Sequence, residues 1–376
     1  MSTLLRCIST SAVALALFSA CSKGDKPAEP AANAPASASG ALTEAAPSAA
    51  VLRPKASALF GKLPATIEDT KHPSSEAKIS LGRTLYFEHR LSKNQDLSCN
   101  SCHALDGFGA DTRAESVSRG TSLGHKQQFG DRNSPSVYNA ALHVAQFWDG
   151  RAADVEAQAK GPILNAVEMA MPNEASVVAV LKSIPGYEAP FKAAFPGDAD
   201  PISYNNLAEA IGAFERTLVT PAPLDKFIAG DDAALSAEQL KGLDLFLTSG
   251  CIGCHSGPGI GGAIYQKLGL VVPFETKDEG RAKVTGNAAD KFFFKVPSLR
   301  NVEKTAPYFH DGAVKTLPEA VRLMAKHQTA LGELSADKVQ GIVAFLTSLT
   351  GELPVTKIAK PELPPSGPKT PKADPS

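Results

Sequence analysis

Tryptophan occurs once in the 376 residues and methionine four times. Neither sign of charge is in surplus, with 38 Lys and Arg against 39 Asp and Glu. A net charge of −1 gives no reason to expect a nucleic-acid partner. No apolar run reaches the roughly 20 residues that cross a bilayer. Sustained period-two alternation is also missing, which excludes a core built from strands. Cysteine is scarce: two of the six, Cys7 and Cys21, lie near the N-terminus, and the other four fall in two short motifs. None is left for a disulfide inside the folded part.

Those motifs are Cys99-Asn100-Ser101-Cys102-His103 and Cys251-Ile252-Gly253-Cys254-His255. Two thiols separated by two residues can both bond the vinyl groups of one porphyrin while the adjoining His reaches its iron. Zinc ribbons bring their paired Cys units much closer in sequence, and a His after each pair would be coincidence. A thioredoxin-like redox pair explains neither the duplication nor the His. The pentads therefore predict two covalently bound haem c groups, attached through Cys99, Cys102, Cys251 and Cys254.

Residues 1–21 have the layout of an export signal: Arg6, the apolar run Ala12 to Phe18, then Ser19-Ala20-Cys21. Ala20-Cys21 resembles a bacterial lipoprotein cleavage site, so Cys21 is expected to carry a lipid anchor, with plain cleavage as the alternative. The expected location is the periplasm. Residues 22–55, rich in Ala, Pro and Ser, read as a disordered tether, and the Pro- and Lys-rich residues 353–376 as a disordered tail. Between them we expect an N-terminal haem domain over 56–222 and a C-terminal haem domain over 223–352, divided near Thr220-Pro221-Ala222-Pro223.

The expected fold class is mainly α, two c-type cytochrome domains with long loops. Ser236 and Gln239 form a capping-box pattern, and Leu240, Leu243, Phe246 and Leu247 recur at helical spacing up to the second motif. Leu81, Leu85 and Tyr86 do the same before the first, with starts at Ser74 or Ser75. The duplication thus extends beyond the haem signature. Ser335 is the expected cap of a closing amphipathic helix through Leu349.

Each iron needs its sixth position filled or left open, which decides between electron transfer and chemistry. Met324, on the helical segment from Leu317, could cross the second haem, or it could simply fill the core. His125, in a Gly-punctuated loop, could swing onto or off the first iron, or it could be a surface His.

Longer segments carry a resemblance to the bacterial dihaem cytochrome c peroxidase family over about Leu59 to Leu349. They are Leu123-Gly124-His125 leading to Arg132-Asn133-Ser134-Pro135, then Gln146-Phe147-Trp148-Asp149-Gly150-Arg151-Ala152, then Asn165 to Pro172. In the second half come Phe294 to Asn301 and Thr305 to Gly312. The resemblance implies that His103 and a displaceable His125 serve a low-potential N-terminal haem where hydrogen peroxide reacts. His255 and Met324 would serve a high-potential C-terminal haem that receives electrons from a small cytochrome c or cupredoxin. Trp148 would lie between the haems, with Gln158 and Glu168 lining the peroxide pocket. Asn133, Thr305 and Pro307 would hold calcium, the last two through backbone oxygens. A homodimer is also implied.

The family reading makes the chain a peroxidase. Its rivals are a dihaem enzyme that oxidatively modifies a partner protein and a non-catalytic dihaem electron carrier. The first uses Tyr where this chain has Met324; the second leaves Glu168 and Gln158 without a task.

Overall fold

The computed structural model describes residues 47–376, which fall in one compact unit. The export segment and Cys21 lie outside the described residues. The described part is mainly helical, as expected. Its only ladder beyond isolated bridges is a two-stranded antiparallel sheet of β1 (Tyr265–Lys267) and β2 (Phe293–Lys295). No described helix is long and apolar enough to cross a membrane.

Two buried apolar clusters organise the chain. The first is built on α2 (Glu76–Tyr86), α4 (Val155–Leu164) and α5 (Tyr204–Glu215), and the second on α1 (Ala49–Phe60), α6 (Ala237–Thr248), α7 (Leu317–Gln328) and α8 (Ala336–Thr347). A shorter helix, α3 (Ala114–Arg119), lies in the loop between the first haem motif and His125. Ser75 starts α2 by accepting from the Lys78 N–H, and Ser236 and Gln239 close the expected capping box on α6. Each haem motif follows a helix that crosses a partner at very short range. A Cβ on Gly82 of α2 would lie 1.8 Å from the Ala210 carbonyl oxygen of α5, and one on Gly242 of α6 would lie 1.9 Å from that of Gly341 in α8. Only glycine permits either crossing.

Two expectations at the chain ends are corrected. Residues 49–55, assigned to a disordered tether, are the first turns of α1. Leu52, Ala56 and Phe60 recur every four residues and bury one face in the second cluster, where Phe60 meets Phe246 and Phe345. The start of the folded chain therefore belongs with the second cluster, although residues from 56 were assigned to the N-terminal domain. Residues 353–376, assigned to a disordered tail, run along the first cluster, against which Leu353, Ile358 and Leu363 pack. Arg90 is buried with Glu88 and needs further acceptors; Pro364 O and Ser366 Oγ in the tail supply them at 2.9 and 3.0 Å.

Candidate active site

Ser98 opens one helical turn over Cys99–Cys102, its N–H donating to Ser101 Oγ, whereas Cys251–Gly253 form a 3-10 turn. Each turn delivers its His to a backbone acceptor: His103 Nδ1 lies 2.9 Å from Pro135 O and His255 Nδ1 lies 3.2 Å from Ile260 O. An Nδ1–H donated this way leaves Nε2 with a free lone pair for a metal. Burial depresses both imidazoles, His255 to about 4, which keeps them neutral as a ligand must be.

Cys99, Cys102 and His103 line a cavity of about 550 Å³ together with Gln158, Ala159, Ile163, Glu168 and Glu215. Cys251, Cys254, His255 and Met324 line a second, largely apolar cavity of about 1300 Å³, part of it open to solvent. The four thiols thus serve two separate hollows rather than one tetrahedral site. Burial raises them as free thiols, Cys99 to about 12 and Cys251 to about 11. Two hollows, each with a thiol pair and a neutral imidazole, fit two haem c groups.

Gln158 and Glu168 both face the first cavity. Glu168 accepts from Asn165 Nδ2 at 2.8 Å, and burial raises its carboxyl above the ordinary range, with Arg151 and Asn165 opposing. His125 is buried but does not line that cavity; its N–H donates to the Glu168 carbonyl at 2.9 Å. Glu215 was not foreseen. It is 4% exposed and lines the first cavity, while the adjacent Arg216 turns away to Glu156 and Asp69. Burial, then the Glu156 charge, lift it to about 8 against the pull of Arg216. A charged pair, Glu215 and Arg216, closing the otherwise apolar end of α5 was the available signal.

Trp148 lines the second cavity and donates Nε1–H to Asn133 O at 2.9 Å. Asn133 Nδ2 in turn reaches Pro307 O at 2.6 Å and Phe309 O at 3.4 Å. Two of the three expected calcium residues, Asn133 and Pro307, therefore meet, and Thr305 lies two residues before the second. The amide as placed turns its NH₂ toward the carbonyls. A cation there needs it rotated to present Oδ1, the kind of neutral oxygen calcium accepts.

The structure also shows a repeat that the opening reading missed. At a constant offset of 162 residues, Pro135-Ser136-Val137-Tyr138-Asn139 matches Pro297-Ser298-Leu299-Arg300-Asn301, and Gln146-Phe147-Trp148-Asp149-Gly150 matches Tyr308-Phe309-His310-Asp311-Gly312. Asn139 and Asn301 share a left-handed backbone (φ 60° and 61°), and both donate Nδ2–H to the one Thr220 hydroxyl at 2.9 Å. Bridges Gln146 to Ala152 and Tyr308 to Val314 close the two matching turns.

A duplicated helical chain with two cavities, each lined by a Cys pair and its His and one of them also by Glu168 and Gln158, defines a dihaem c-type enzyme. The profile of the di-haem cytochrome c peroxidase family matches residues 76–233. The chain is 46% identical to a cytochrome c551 peroxidase of Nitrosomonas europaea over 81% of this chain and 88% of that one. It is 45% identical to a cytochrome c551 peroxidase of Pseudomonas aeruginosa over 85% and 92%. Among solved structures, a MauG-like protein associated with microbial copper homeostasis is 29% identical, with a TM-score of 0.70 over 80% of this chain and 97% of that one. The chain belongs to the di-haem cytochrome c peroxidase family. It is a di-haem peroxidase.

Proposed function

We propose that the enzyme reduces hydrogen peroxide to two waters, consuming two protons and two electrons, at the first cavity. The electrons come from a small cytochrome c or cupredoxin through the second. The observation that carries this reading is the meeting of Glu168 and Gln158 with Cys99, Cys102 and His103 around one hollow. When bound, the haem of that cavity supplies an iron position for peroxide and the other haem stores an electron.

The protein's own share is binding and proton movement. Gln158 holds peroxide by hydrogen bonds, donating through its NH₂ and accepting through its carbonyl. Glu168, steadied by Asn165, takes the proton of the near oxygen and delivers it to the far oxygen, so that the O–O bond breaks toward water. Its raised pKa brings it nearer the proton affinity this transfer needs. His125, held beside the cavity by the Glu168 carbonyl, would be the residue whose movement admits peroxide to that haem or closes it off. His255 and Met324 in the second cavity, and His103 in the first, would hold the two haem irons. Asn133, Thr305 and Pro307 would hold calcium through neutral oxygens, next to the Asn133 contacts with Pro307 and Trp148.

Electron entry at the second cavity draws support from the surface there. Leu270, Val271 and Leu331 are about half exposed, and Leu331 also lines the cavity. Exposed apolar side chains beside a cofactor suit brief contact with a redox partner. Oxidation of a partner protein is the second reading; Met324 in the second cavity favours the peroxidase.

Peroxide consumption by the calcium-loaded dihaem protein, kept oxidised or pre-reduced by one electron, tests the proposal. Fast turnover after reduction is the expected result. No turnover in either state with a reduced cytochrome donor overturns it.

A further inference from the structure

Lys295 is 5% exposed, lines the second cavity, and has no carboxylate partner among the described residues. Its Nζ donates instead to His143 Nδ1 at 3.2 Å. The other ring nitrogen, His143 Nε2, is buried without a hydrogen-bond partner among the described residues. Two basic side chains from the two halves of the chain thus meet, with donors to spare and no anion between them.

The place is built for them. A Cβ on Gly262 would lie 2.2 Å from His143 Cδ2, and the Gly262 carbonyl accepts from Val144, so the imidazole is seated where only glycine leaves room. The Lys295 backbone N–H donates to Trp148 O at 2.7 Å. In the internal repeat Lys295 is the counterpart of Asn133, whose N–H donates to His310 O at 2.8 Å, and His143 is the counterpart of Thr305. One copy of the repeat offers neutral oxygens suited to a metal cation. The other carries a cation of its own.

We propose that Lys295, held in place by His143, is a carboxylate receptor for a propionate of the haem in the second cavity, resting on the two-haem reading above. A buried ammonium with no counter-charge is costly, and burial pulls Lys295 down to about 8. A carboxylate accepting from the ammonium restores the balance, while His143, which does not itself line the cavity, fixes where that ammonium sits. The cavity is otherwise mostly apolar, so the propionate end of the haem has few competing sites.

The test uses calcium-loaded holoenzyme whose two haems are first counted by pyridine haemochrome, which separates failure of haem loading from failure of the receptor. Lys295→Met is expected to lower the midpoint potential of the C-terminal haem, because a lost positive charge disfavours the added electron. It also shifts the propionate-bending band in resonance Raman spectra. Lys295→Arg keeps both near the wild-type values. A fully loaded Lys295→Met enzyme with unchanged potential and band overturns the proposal. Should that variant fail to load, wild-type enzyme carrying ¹³C-labelled propionates decides by infrared difference spectroscopy: an ion-paired carboxylate supports the receptor, a fully hydrated one overturns it. A wild-type midpoint that moves with inorganic phosphate overturns it too, since the site would then take a free anion.

Discussion

Trp148 and His310 stand edge to face, ring centroids 6.4 Å apart and planes at 72°, as matching residues of two copies of one tight turn. Their backbones are tied crosswise: Trp148 O accepts from Lys295 N–H and His310 O accepts from Asn133 N–H. The segments entering the two haem regions are thereby locked to one another at the lone tryptophan. The indole also donates to Asn133 O, so its orientation is set by the segment expected to hold calcium.

Trp148→Phe keeps an aromatic ring and removes that donor. A net hydrogen bond of this kind contributes about 1 kcal/mol, so the variant should fold and keep both haems. Peroxide turnover should fall, with a slower electron exchange between haems in stopped-flow spectra. Unchanged exchange would show that the indole is only packing.

Glu168→Gln should lower kcat by roughly 10²–10⁴-fold, the usual worth of a positioned acid–base group, with KM less affected. The proton mover must start ionised. Because burial raises the Glu168 pKa, activity should decline as pH falls through a value above the ordinary Glu range. The variant should lose that acid limb. A limb that persists in Glu168→Gln assigns it to another group, with Glu215 next to be tested.

The two helix crossings predict matched effects. An alanine at Gly82 or at Gly242 must push α2 from α5, or α6 from α8, since each new Cβ would sit under 2 Å from a carbonyl oxygen. Overpacking of this kind costs about 1–3 kcal/mol or more, read as a lower Tm of the holoprotein. Gly197, with nothing within 4 Å of an added Cβ, is the control, and its alanine variant should melt close to wild type.

Much of the helical frame could be read from caps and spacing, because Ser75 and Ser236 announce helix starts locally. The haem motifs are equally local. What escaped depends on tertiary partners or on backbone signs. Leu52, Ala56 and Phe60 carry the helical period of α1, yet an Ala- and Pro-rich surrounding hid it until Phe246 and Phe345 covered the face. Asn139 and Asn301, like Phe147 and Phe309, take positive φ, a conformation that sequence announces reliably only at glycine. The 162-residue repeat therefore looked like scattered identities. Glu215 escaped because which face of α5 met the cavity was decided by α2 and α4 packing against it.

The C-terminal tail gives the last prediction. Arg90 is 4% exposed; Glu88 satisfies part of its guanidinium, and Pro364 O and Ser366 Oγ accept from the rest. Glu88 also accepts from the buried Tyr187 hydroxyl, so the cluster sits in the first core. Truncation after Leu363 removes both tail acceptors and leaves guanidinium N–H groups to find water. Unsatisfied donors of this kind cost about 1–3 kcal/mol, and the holoprotein should melt at a lower temperature. The loss should be larger at low pH. Glu88 is held below the usual carboxylate range by Arg90 and Tyr187 against the opposing effect of burial. Its stabilisation is therefore present above the unfolded pKa and is lost as pH falls through the folded value. If the truncated protein melts like the full chain at every pH, the tail lies on the surface without holding it.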